Sequence, residues 1–477
     1  MRVTLLDSTK DPAWLISMAA RRCYASRSKD TPEGREAFVK GLIRSGHETP
    51  LEFASVSFDI DGISRSCMAQ LTRHRIASFC VESQRYVSIE RFQENNSKEN
   101  VEKFVELYNK GASRDILQQK FGCSDKIAKE ILSNNNCVER KIGDRGTTNP
   151  YIFLPENLTH TTAQLLGLIA ADGCVHVVGE NSISLTVKMK DEEYVRQISR
   201  IIGASCLKAE KGLFSTRKNS VSIGRTLIDI YGIVPNKSLV IKGDLLEKNL
   251  PERFVKDFIL GYLEGNGSLL FYPKGNKKML VFCSGSKQIL EWIEKKISTN
   301  CKVNQRDIKK KTRSFQLIYQ GAEQIKGILT WMYSDASFDL LLQRKFEKAV
   351  ELGLSTKELL PKMVNAFENK HKIVIPPSFL GIPIGVLFAF VKINESLFDY
   401  YNDWKGIVKN EDRRFILPNA TKTNLSMCMN FRELRHFLKL RLHPTAQWEV
   451  RSVAYQIYKI CQQKWGWLVE DLSYDAL

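Results

Sequence analysis

An internal repeat constrains this chain of 477 residues more than any other feature of its sequence. The segments LLGLIAADGCV (165–175) and FILGYLEGNGSLL (258–270) share the pattern L-G-x-[IL]-x-x-x-G. Residues that alternate between apolar and polar follow each copy, NSISLTVKMK after the first and KKMLVFCSG after the second. Such alternation is typical of strands. The repeat therefore predicts two copies of one supersecondary unit, each opened by an apolar, glycine-containing helix.

The composition predicts a soluble, cytoplasmic protein of several domains. The length exceeds that of one compact domain, and 43% apolar and 26% charged residues are ordinary values. No apolar run is long enough to span a membrane, and we expect no signal peptide and no membrane partner. The eleven cysteines are odd in number and include no CxxC pair. They indicate reduced thiols rather than a disulfide framework or a zinc site.

The positive charge is concentrated in the middle of the chain. Residues 91–370 hold +12 of the formal charge of +18, against +2 in residues 1–90 and +4 in residues 371–477. A basic surface favours a polyanionic partner, although charge alone is a weak indication.

The stretch TRHRIASFCVESQRYV (72–87) carries many groups that bind anions. Guanidinium groups bind phosphate in bidentate fashion, and hydroxyls add neutral donors, so the cluster suits a nucleotide or diphosphate. The alternative is a surface strand of salt bridges. The spacing resembles the signature RHRxxSxNxxSxRY of flavin-dependent thymidylate synthases, with Cys80 in the position of Asn.

Two other segments carry the same resemblance. HETPLE (47–52) resembles the H-x-[ST]-P segment of that family, and DRRFILPNATKTNLSMCMNFRELRHFLKLRLHPTAQWEVR (412–451) resembles its C-terminal half. Leu434, Phe437 and Leu438 have the spacing of the buried side of a helix in this segment. Together the three segments cover about residues 1–92 and 371–477.

The resemblance implies a mixed α/β fold, a homotetramer and bound FAD. It implies methylation of dUMP to dTMP, with methylenetetrahydrofolate as carbon donor and NADPH as reductant. The flavin-contacting positions of the family match Thr49, Arg73, His74, Arg75, Asn430, Arg432 and His436. Its dUMP-contacting positions match Gln70, Arg73, Ser83, Gln84, Arg85, Arg414 and Arg441. Arg441 matches the residue that polarises the uracil and is the expected catalytic residue. Cys67 and Cys80 are expected to be dispensable.

About 280 residues separate the two halves of the family pattern. YVSIERF (86–92) and KHKIVIPPSF (370–379) alternate like strands, which predicts a hairpin whose tip is opened by an insertion. Loop tips tolerate insertions because a longer loop costs little more to close. The insert opens with residues 100–132, which resemble a resolvase-type helix-turn-helix; a plain helical bundle is the alternative.

The internal repeat resembles two-copy LAGLIDADG homing endonucleases, which implies two αββαββα units and double-stranded DNA as a partner. In that family each paired helix ends in an acidic residue that binds a divalent metal. Asp172 occupies this position in the first copy and is a candidate Mg²⁺ ligand, but the second copy has Asn266, a poor ligand. Cleavage is therefore expected to be weak or lost. Lys237 and Lys345 are candidate phosphate contacts.

The expected organisation is a thymidylate synthase domain in residues 1–94 and 369–477, split by an insert. The insert would hold a helix-turn-helix (95–140) and two LAGLIDADG repeats (141–250 and 251–368). One alternative is a DNA-binding or homing protein with a non-functional synthase shell. Another is a divergent intein, which the absence of any His-Asn dipeptide disfavours. The DNA target, the edges of the insert and tetramer formation around it are left open by the sequence.

Overall fold

The two chain ends belong to one folded unit. The computed structural model describes residues 1–83, 149–179, 182–275, 277–405 and 407–472, together with residues 104, 105, 108, 117, 131 and 132. The first compact unit comprises Met1–Phe92, Glu368–Pro377 and Lys392–Leu477. The second comprises Gln93–Phe367 and Ser378–Val391. Most of the predicted helix-turn-helix lies outside the described residues.

Helices and strands are mixed along the described residues. In chain order the strands are β1 Arg2–Ser8, β2 Ser55–Ser64, β3 Ala77–Val81, β4 Cys174–Val177, β5 Ile183–Met189, β6 Cys206–Lys208, β7 Phe214–Asn219, β8 Gly267–Tyr272, β9 Lys277–Ser284, β10 Lys309–Lys310, β11 Phe315–Gln320 and β12 Lys422–Asn430. The α-helices are α1 Pro12–Arg22, α2 Arg35–Arg44, α3 Arg65–Leu71, α4 His160–Asp172, α5 Glu192–Ile202, α6 Val221–Arg225, α7 Asp244–Asn249, α8 Val255–Asn266, α9 Lys287–Cys301, α10 Ala322–Met332, α11 Gln343–Leu352, α12 Leu359–His371, α13 Ile384–Asp403, α14 Asn410–Arg413, α15 Phe431–Arg441, α16 Trp448–Lys464 and α17 Gly466–Val469.

The first unit is built on an antiparallel sheet of order β1-β2-β12-β3. Strand β12 comes from the C-terminal segment and lies between two strands of the N-terminal segment, so Met427 faces Phe58 on one side and Phe79 on the other. Alternate residues of β2 are buried because one face of the sheet packs on the helices. One apolar core joins this face to helices α15 and α16. Neither chain end can complete the core alone.

The predicted helix in the C-terminal segment is confirmed. Helix α15 begins at Phe431, and Leu434, Phe437 and Leu438 are fully buried in the core. The Asn430 side chain caps its first turn by accepting a hydrogen bond from the Glu433 N–H at 2.8 Å.

The second unit contains two halves with the same order of elements. Helix α4 precedes β4, β5, α5, β6, β7 and α6, and helix α8 precedes β8, β9, α9, β10, β11 and α10. The two sheets have equivalent antiparallel orders, β4-β5-β7-β6 and β8-β9-β11-β10. The structure of this unit therefore repeats as the sequence does.

Helices α4 and α8 of the second unit pack with their backbones in contact. A Cβ at Gly167 would lie 1.8 Å from the Phe258 carbonyl oxygen, and a Cβ at Gly261 would lie 1.8 Å from the Gln164 carbonyl oxygen. No side chain fits at either position. Glycine is therefore required by the close approach of the two helices.

The strand predicted in KHKIVIPPSF is wrong. Ile373 forms an isolated bridge with Thr421, and Pro377–Leu380 forms a 3-10 turn. Pro376 and Pro377 have no N–H group to donate, which ends the pairing. The companion segment YVSIERF lies outside the described residues.

Helices α12 and α13 each include residues of both units. Within the described ranges, no helix is both long and apolar enough to cross a membrane.

Candidate active site

His74 joins the two halves of the first unit through both of its ring nitrogens. It lies in the turn between α3 and β3 and is only 6% exposed. Its Nδ1 lies 2.9 Å from Glu433 Oε1, and Arg441 Nε donates to its Nε2 at 3.1 Å. Because Nε2 accepts from a guanidinium, the ring proton is on Nδ1 and is donated to the carboxylate. The contacts therefore specify one neutral tautomer.

The environment of His74 favours this neutral ring. Burial lowers the pKa of the imidazole, and the Arg441 cation lowers it further, while the hydrogen bond to Glu433 partly opposes both effects. The ring also packs edge-on against Phe437, with centroids 5.0 Å apart, and lies 6.3 Å from the His436 ring. At neutral pH the ring is accordingly an acceptor for Arg441.

Helix α15 supplies the partners of His74 from one face. Glu433, Phe437 and Arg441 are spaced four residues apart, so they line up along the helix. Arg441 lies in the last turn and is half-buried, and its Nη1 and Nη2 atoms have no partner among the described residues. The guanidinium is thus anchored through Nε, with its two amino groups available to a ligand.

Exposed cations surround this chain of hydrogen bonds. The Arg73 and Arg75 side chains flank His74, are exposed and have no hydrogen-bond or ion-pair partner in the described part of the chain. His436 is also exposed, while Arg432 pairs with Glu52 in the 3-10 turn Thr49–Phe53. That ion pair brings the turn containing the exposed Thr49 to the start of α15. Exposed guanidinium and hydroxyl groups suit a ligand that carries phosphates.

An open cleft of about 170 Å³ lies beside helix α3. Its lining residues come from α3, from the end of β3 and from the C-terminal segment: Arg65, Met68, Val81, Glu82, Ser83, Arg414 and Thr423. Arg414 donates from Nε to the Glu411 carbonyl at 3.0 Å, which fixes its side chain. Burial raises the pKa of the Glu82 carboxyl, which accepts a hydrogen bond from Asn424 at 2.7 Å. Two guanidinium side chains and the hydroxyl residues Ser83 and Thr423 thus line one cleft.

The cleft contains two of the predicted dUMP-contacting residues, Ser83 and Arg414. Gln70 lies on the same helix α3 and is half-buried, whereas Gln84 and Arg85 lie outside the described residues. Sequence reasoning missed Arg65 and Thr423. The spacing of Arg65 and Met68, three residues apart at the start of a helix, was the signal available for Arg65.

The AQWE segment (446–449) holds the start of helix α3 through hydrogen bonds between Glu449 and Ser64. Glu449 is 2% exposed and accepts from the Ser64 N–H at 2.6 Å and from the Ser64 hydroxyl at 2.5 Å. Burial raises the pKa of this carboxyl. Ser64 also caps α3 by accepting from the Cys67 N–H at 3.0 Å. This contact sets where the cleft and the His74 turn begin, and the sequence alone did not reveal it.

The end of the paired helices in the second unit offers one exposed carboxylate. Asp172 is exposed, and Asn266 donates to the Ala171 carbonyl at 3.2 Å. Glu264 is fully buried and accepts from Gln164 at 2.7 Å and Tyr194 at 2.5 Å. Divalent cations need several oxygen ligands. The residues present therefore fit a magnesium ion poorly.

The prediction that Lys237 and Lys345 contact phosphate is wrong in this structure. Both side chains are 6% exposed. Lys237 donates to the Gly173 carbonyl, and Lys345 donates to the carbonyls of Leu263, Glu264 and Gly267. These carbonyls belong to the C-terminal ends of α4 and α8, which attract cations.

Comparisons with known proteins agree on one family. A family described as thymidylate synthase complementing protein matches residues 4–135 and 347–465, just over half of the chain. A flavin-dependent thymidylate synthase of Geobacter sulfurreducens is 45% identical over 94 residues, 18% of this chain and 40% of that protein. One from Clostridium tetani is 36% identical over 140 residues, 25% of this chain and 55% of that protein. The chain spans about half the length of these curated relatives.

Solved structures give a weaker likeness. A flavin-dependent thymidylate synthase of Helicobacter pylori, crystallised with FAD and dUMP, aligns over 99% of both chains. Its sequence identity is 13% and its TM-score 0.30, which is too low to support an argument about this fold.

Proposed function

The chain belongs to the thymidylate synthase complementing protein family, and on this premise we propose that it is a flavin-dependent thymidylate synthase. It converts dUMP to dTMP, with methylenetetrahydrofolate as carbon donor and NADPH as reductant. The observation that carries the proposal is that residues from both matched segments meet around helices α3 and α15.

The cleft beside α3 is the proposed dUMP site. Arg65, Ser83 and Arg414 line it, and two guanidinium groups with a hydroxyl suit a 5′-phosphate. The Glu82 carboxyl in the same cleft is held by Asn424, which donates to it at 2.7 Å. Gln70, Gln84 and Arg85 complete the proposed set by their match to the family pattern.

The exposed cations around His74 are the proposed FAD site. Arg73 and Arg75 hold the diphosphate, and Thr49, Arg432 and His436 lie at matched positions near the start of α15. Asn430 matches a flavin position, and its side-chain oxygen already caps the helix. Bound FAD, once reduced, would supply the hydride that completes the methyl group.

Arg441 is the proposed catalytic residue. Its Nη1 and Nη2 atoms have no partner among the residues that the structure describes. A fixed cation stabilises negative charge that develops on the uracil ring when its ring nitrogen loses a proton. We further propose a homotetramer in the cytoplasm, as the family resemblance suggests.

Purified full-length protein tests this function. We expect flavin absorbance that shifts when dUMP is added, and dTMP formation that requires both methylenetetrahydrofolate and NADPH. A colourless protein that FAD cannot reconstitute, with no dTMP formed, overturns the synthase proposal and favours a chain that acts mainly on DNA.

A second function is proposed for the second unit, which we infer binds double-stranded DNA. Its two αββαββα halves and the paired helices α4 and α8 support this inference, as does the formal charge of +12 in residues 91–370. Because one exposed carboxylate ends the paired helices, double-strand cleavage is expected to be weak or lost.

Fluorescence anisotropy with random-sequence duplex DNA tests binding. Affinity should fall steeply as salt is raised, and no binding at low salt would overturn the inference.

Incubation of supercoiled plasmid with MgCl₂ tests cleavage. We expect nicked circles at most from the natural chain and more product from Asn266→Asp, which restores a second carboxylate. Complete linearisation by the natural chain contradicts the expected loss. A single band near 54.6 kDa on a denaturing gel would show that the insert is not spliced out.

A further inference from the structure

We propose that Glu433 and His74 are positioning residues that hold the Arg441 guanidinium in its working orientation. This inference rests on the proposed function, because it concerns the cation that acts on the uracil. It assigns to His74 a task other than flavin contact, since both of its ring nitrogens are engaged within the protein. Glu433 matches no position of the family signature used above.

The geometry forms a directed chain of three groups. Glu433 Oε1 accepts the Nδ1 proton of His74 at 2.9 Å, and the lone pair on Nε2 accepts from Arg441 Nε at 3.1 Å. A neutral imidazole donates from one nitrogen and accepts at the other. The carboxylate can only accept, so it selects the tautomer that leaves Nε2 free for Arg441.

Burial makes each hydrogen bond of this chain costly to lose. Glu433 and His74 are each 6% exposed, so water cannot replace a lost partner cheaply. Arg441 uses Nε for this contact, and its Nη1 and Nη2 atoms have no partner among the described residues. A guanidinium held at one end can still form two parallel hydrogen bonds with the other.

Protonation of His74 breaks the chain. The imidazolium carries N–H groups on both nitrogens, so Nε2 would face the Arg441 N–H with no lone pair. The charged and titratable groups facing the ring are Glu433, His436 and Arg441 on α15, and Arg73 and Arg75 flank it in sequence. Activity is therefore expected to fall on the acid side, as pH drops through the pKa of His74.

The Glu433→Gln substitution separates positioning from bulk structure. An amide can either accept or donate, so it no longer selects the tautomer. The carboxylate also raises the pKa of His74 by its hydrogen bond and charge. Its removal should lower that pKa and move the acid limb of the pH–rate profile to lower pH. The maximal rate should fall about 10- to 100-fold from misorientation of Arg441.

Asp471→Asn is the matched control, because Asp471 is another carboxylate that contacts helix α15. Asp471 accepts from the buried Arg435 at 2.8 and 2.7 Å, away from the His74 contact. Its loss should lower the melting temperature but leave the acid limb where it is in the natural chain. His74→Gln is the second variant, in which the acid limb should disappear because glutamine does not titrate.

The experiment measures kcat and KM for dUMP against pH, and dUMP affinity from the flavin absorbance change, for the natural chain and the three variants. We expect Glu433→Gln to keep its flavin, lose kcat more than dUMP affinity and shift the acid limb. A Glu433→Gln enzyme with natural kcat and an unmoved limb overturns this inference alone. A natural chain without flavin and without dTMP formation overturns the proposed function and this inference with it.

Discussion

Three arginines of the first unit and two lysines of the second unit differ in what their charged groups contact. In the first unit Arg73 and Arg75 are exposed with no partner among the described residues, and Arg441 is anchored only through Nε. In the second unit Lys237 and Lys345 are buried and donate to main-chain carbonyls at helix ends. A cation that caps a helix stabilises the fold, whereas an exposed cation beside an anchored one is available to a ligand.

The acidic groups beside the two candidate sites also differ. In the first unit Glu433 and Glu449 are buried, and each accepts hydrogen bonds that set the position of a site element. In the second unit the C-terminal ends of helices α4 and α8 carry Asp172 and Asn266, one acid and one amide. The first unit thus has buried carboxylates beside its candidate site, while the paired helices of the second unit end in one acid and one amide.

The largest effect on activity is expected at Arg441, the proposed catalytic cation of the first unit. Arg441→Ala should lower kcat/KM for dUMP by about 100- to 1000-fold, the usual result of removing one electrostatic contact to a developing anion. Flavin content should be retained, because the exposed Arg73 and Arg75 remain. Steady-state kinetics and absorbance spectra measure both quantities.

Lys439→Ala is the control for Arg441→Ala, since it removes another cation from the same helix turn. Lys439 is exposed and pairs with Glu48 at 3.2 Å, a contact worth little in water. Its kinetics should match the natural chain. If Arg441→Ala were as active as Lys439→Ala, Arg441 would have no catalytic role.

Gly261→Ala should break the second unit and spare the first. The added Cβ would lie 1.8 Å from the Gln164 carbonyl oxygen, so helices α4 and α8 must separate. Overpacking of this kind costs about 3 kcal/mol. Denaturant unfolding of the full chain should show a weakened transition together with lost DNA binding, while dTMP formation persists.

Gly327→Ala is the matched control in the same unit. Gly327 lies within helix α10, and an added Cβ there meets nothing within 4 Å. This substitution should stabilise the unit by about 0.5–1 kcal/mol, because alanine loses less backbone entropy than glycine. Equal stability of the two alanine variants would show that the helix contact at Gly261 does not hold the unit together.

Arg414→Ala tests the cleft of the first unit more finely. A charge-assisted hydrogen bond contributes about 1.5–3 kcal/mol, so KM for dUMP should rise about 10- to 100-fold. Binding of deoxyuridine, which lacks the phosphate, should be unchanged by the substitution. A similar loss for both ligands would mean that Arg414 supports the shape of the cleft and does not bind phosphate.

Sequence patterns predicted elements better than they predicted contacts. The apolar spacing of Leu434, Phe437 and Leu438 gave helix α15 because burial imposes that period on any packed helix. The strand predicted in residues 370–379 is wrong, because two prolines end the pairing that the alternation of apolar residues predicts. The alternation of apolar residues predicts a strand there, but only Ile373 pairs with another segment, as an isolated bridge to Thr421.

The sequence predicts which residues form the candidate site, but it does not predict which of them hydrogen-bond to one another. His74 and Arg441 were both identified from the family motifs, but their hydrogen bond joins residues far apart in sequence. The sequence predicts phosphate contacts for Lys237 and Lys345, because a lysine offers the same donors to a ligand or to a carbonyl. Burial, which the sequence does not display for a single lysine, distinguishes the two uses.

The buried Lys345 should give a smaller, pH-dependent effect that sharpens the contrast between the units. Burial lowers the pKa of Lys345 from 10.5 to about 8. Above pH 8 the unfolded chain holds a proton there that the folded chain has released, so the stability of the second unit should rise with pH, by about 1 kcal/mol between pH 7 and pH 9. Lys345→Met should abolish this rise. Lys348→Met, at an exposed position of the same helix, should keep it. Equal slopes in both variants would mean that Lys345 stays protonated in the folded chain between pH 7 and pH 9.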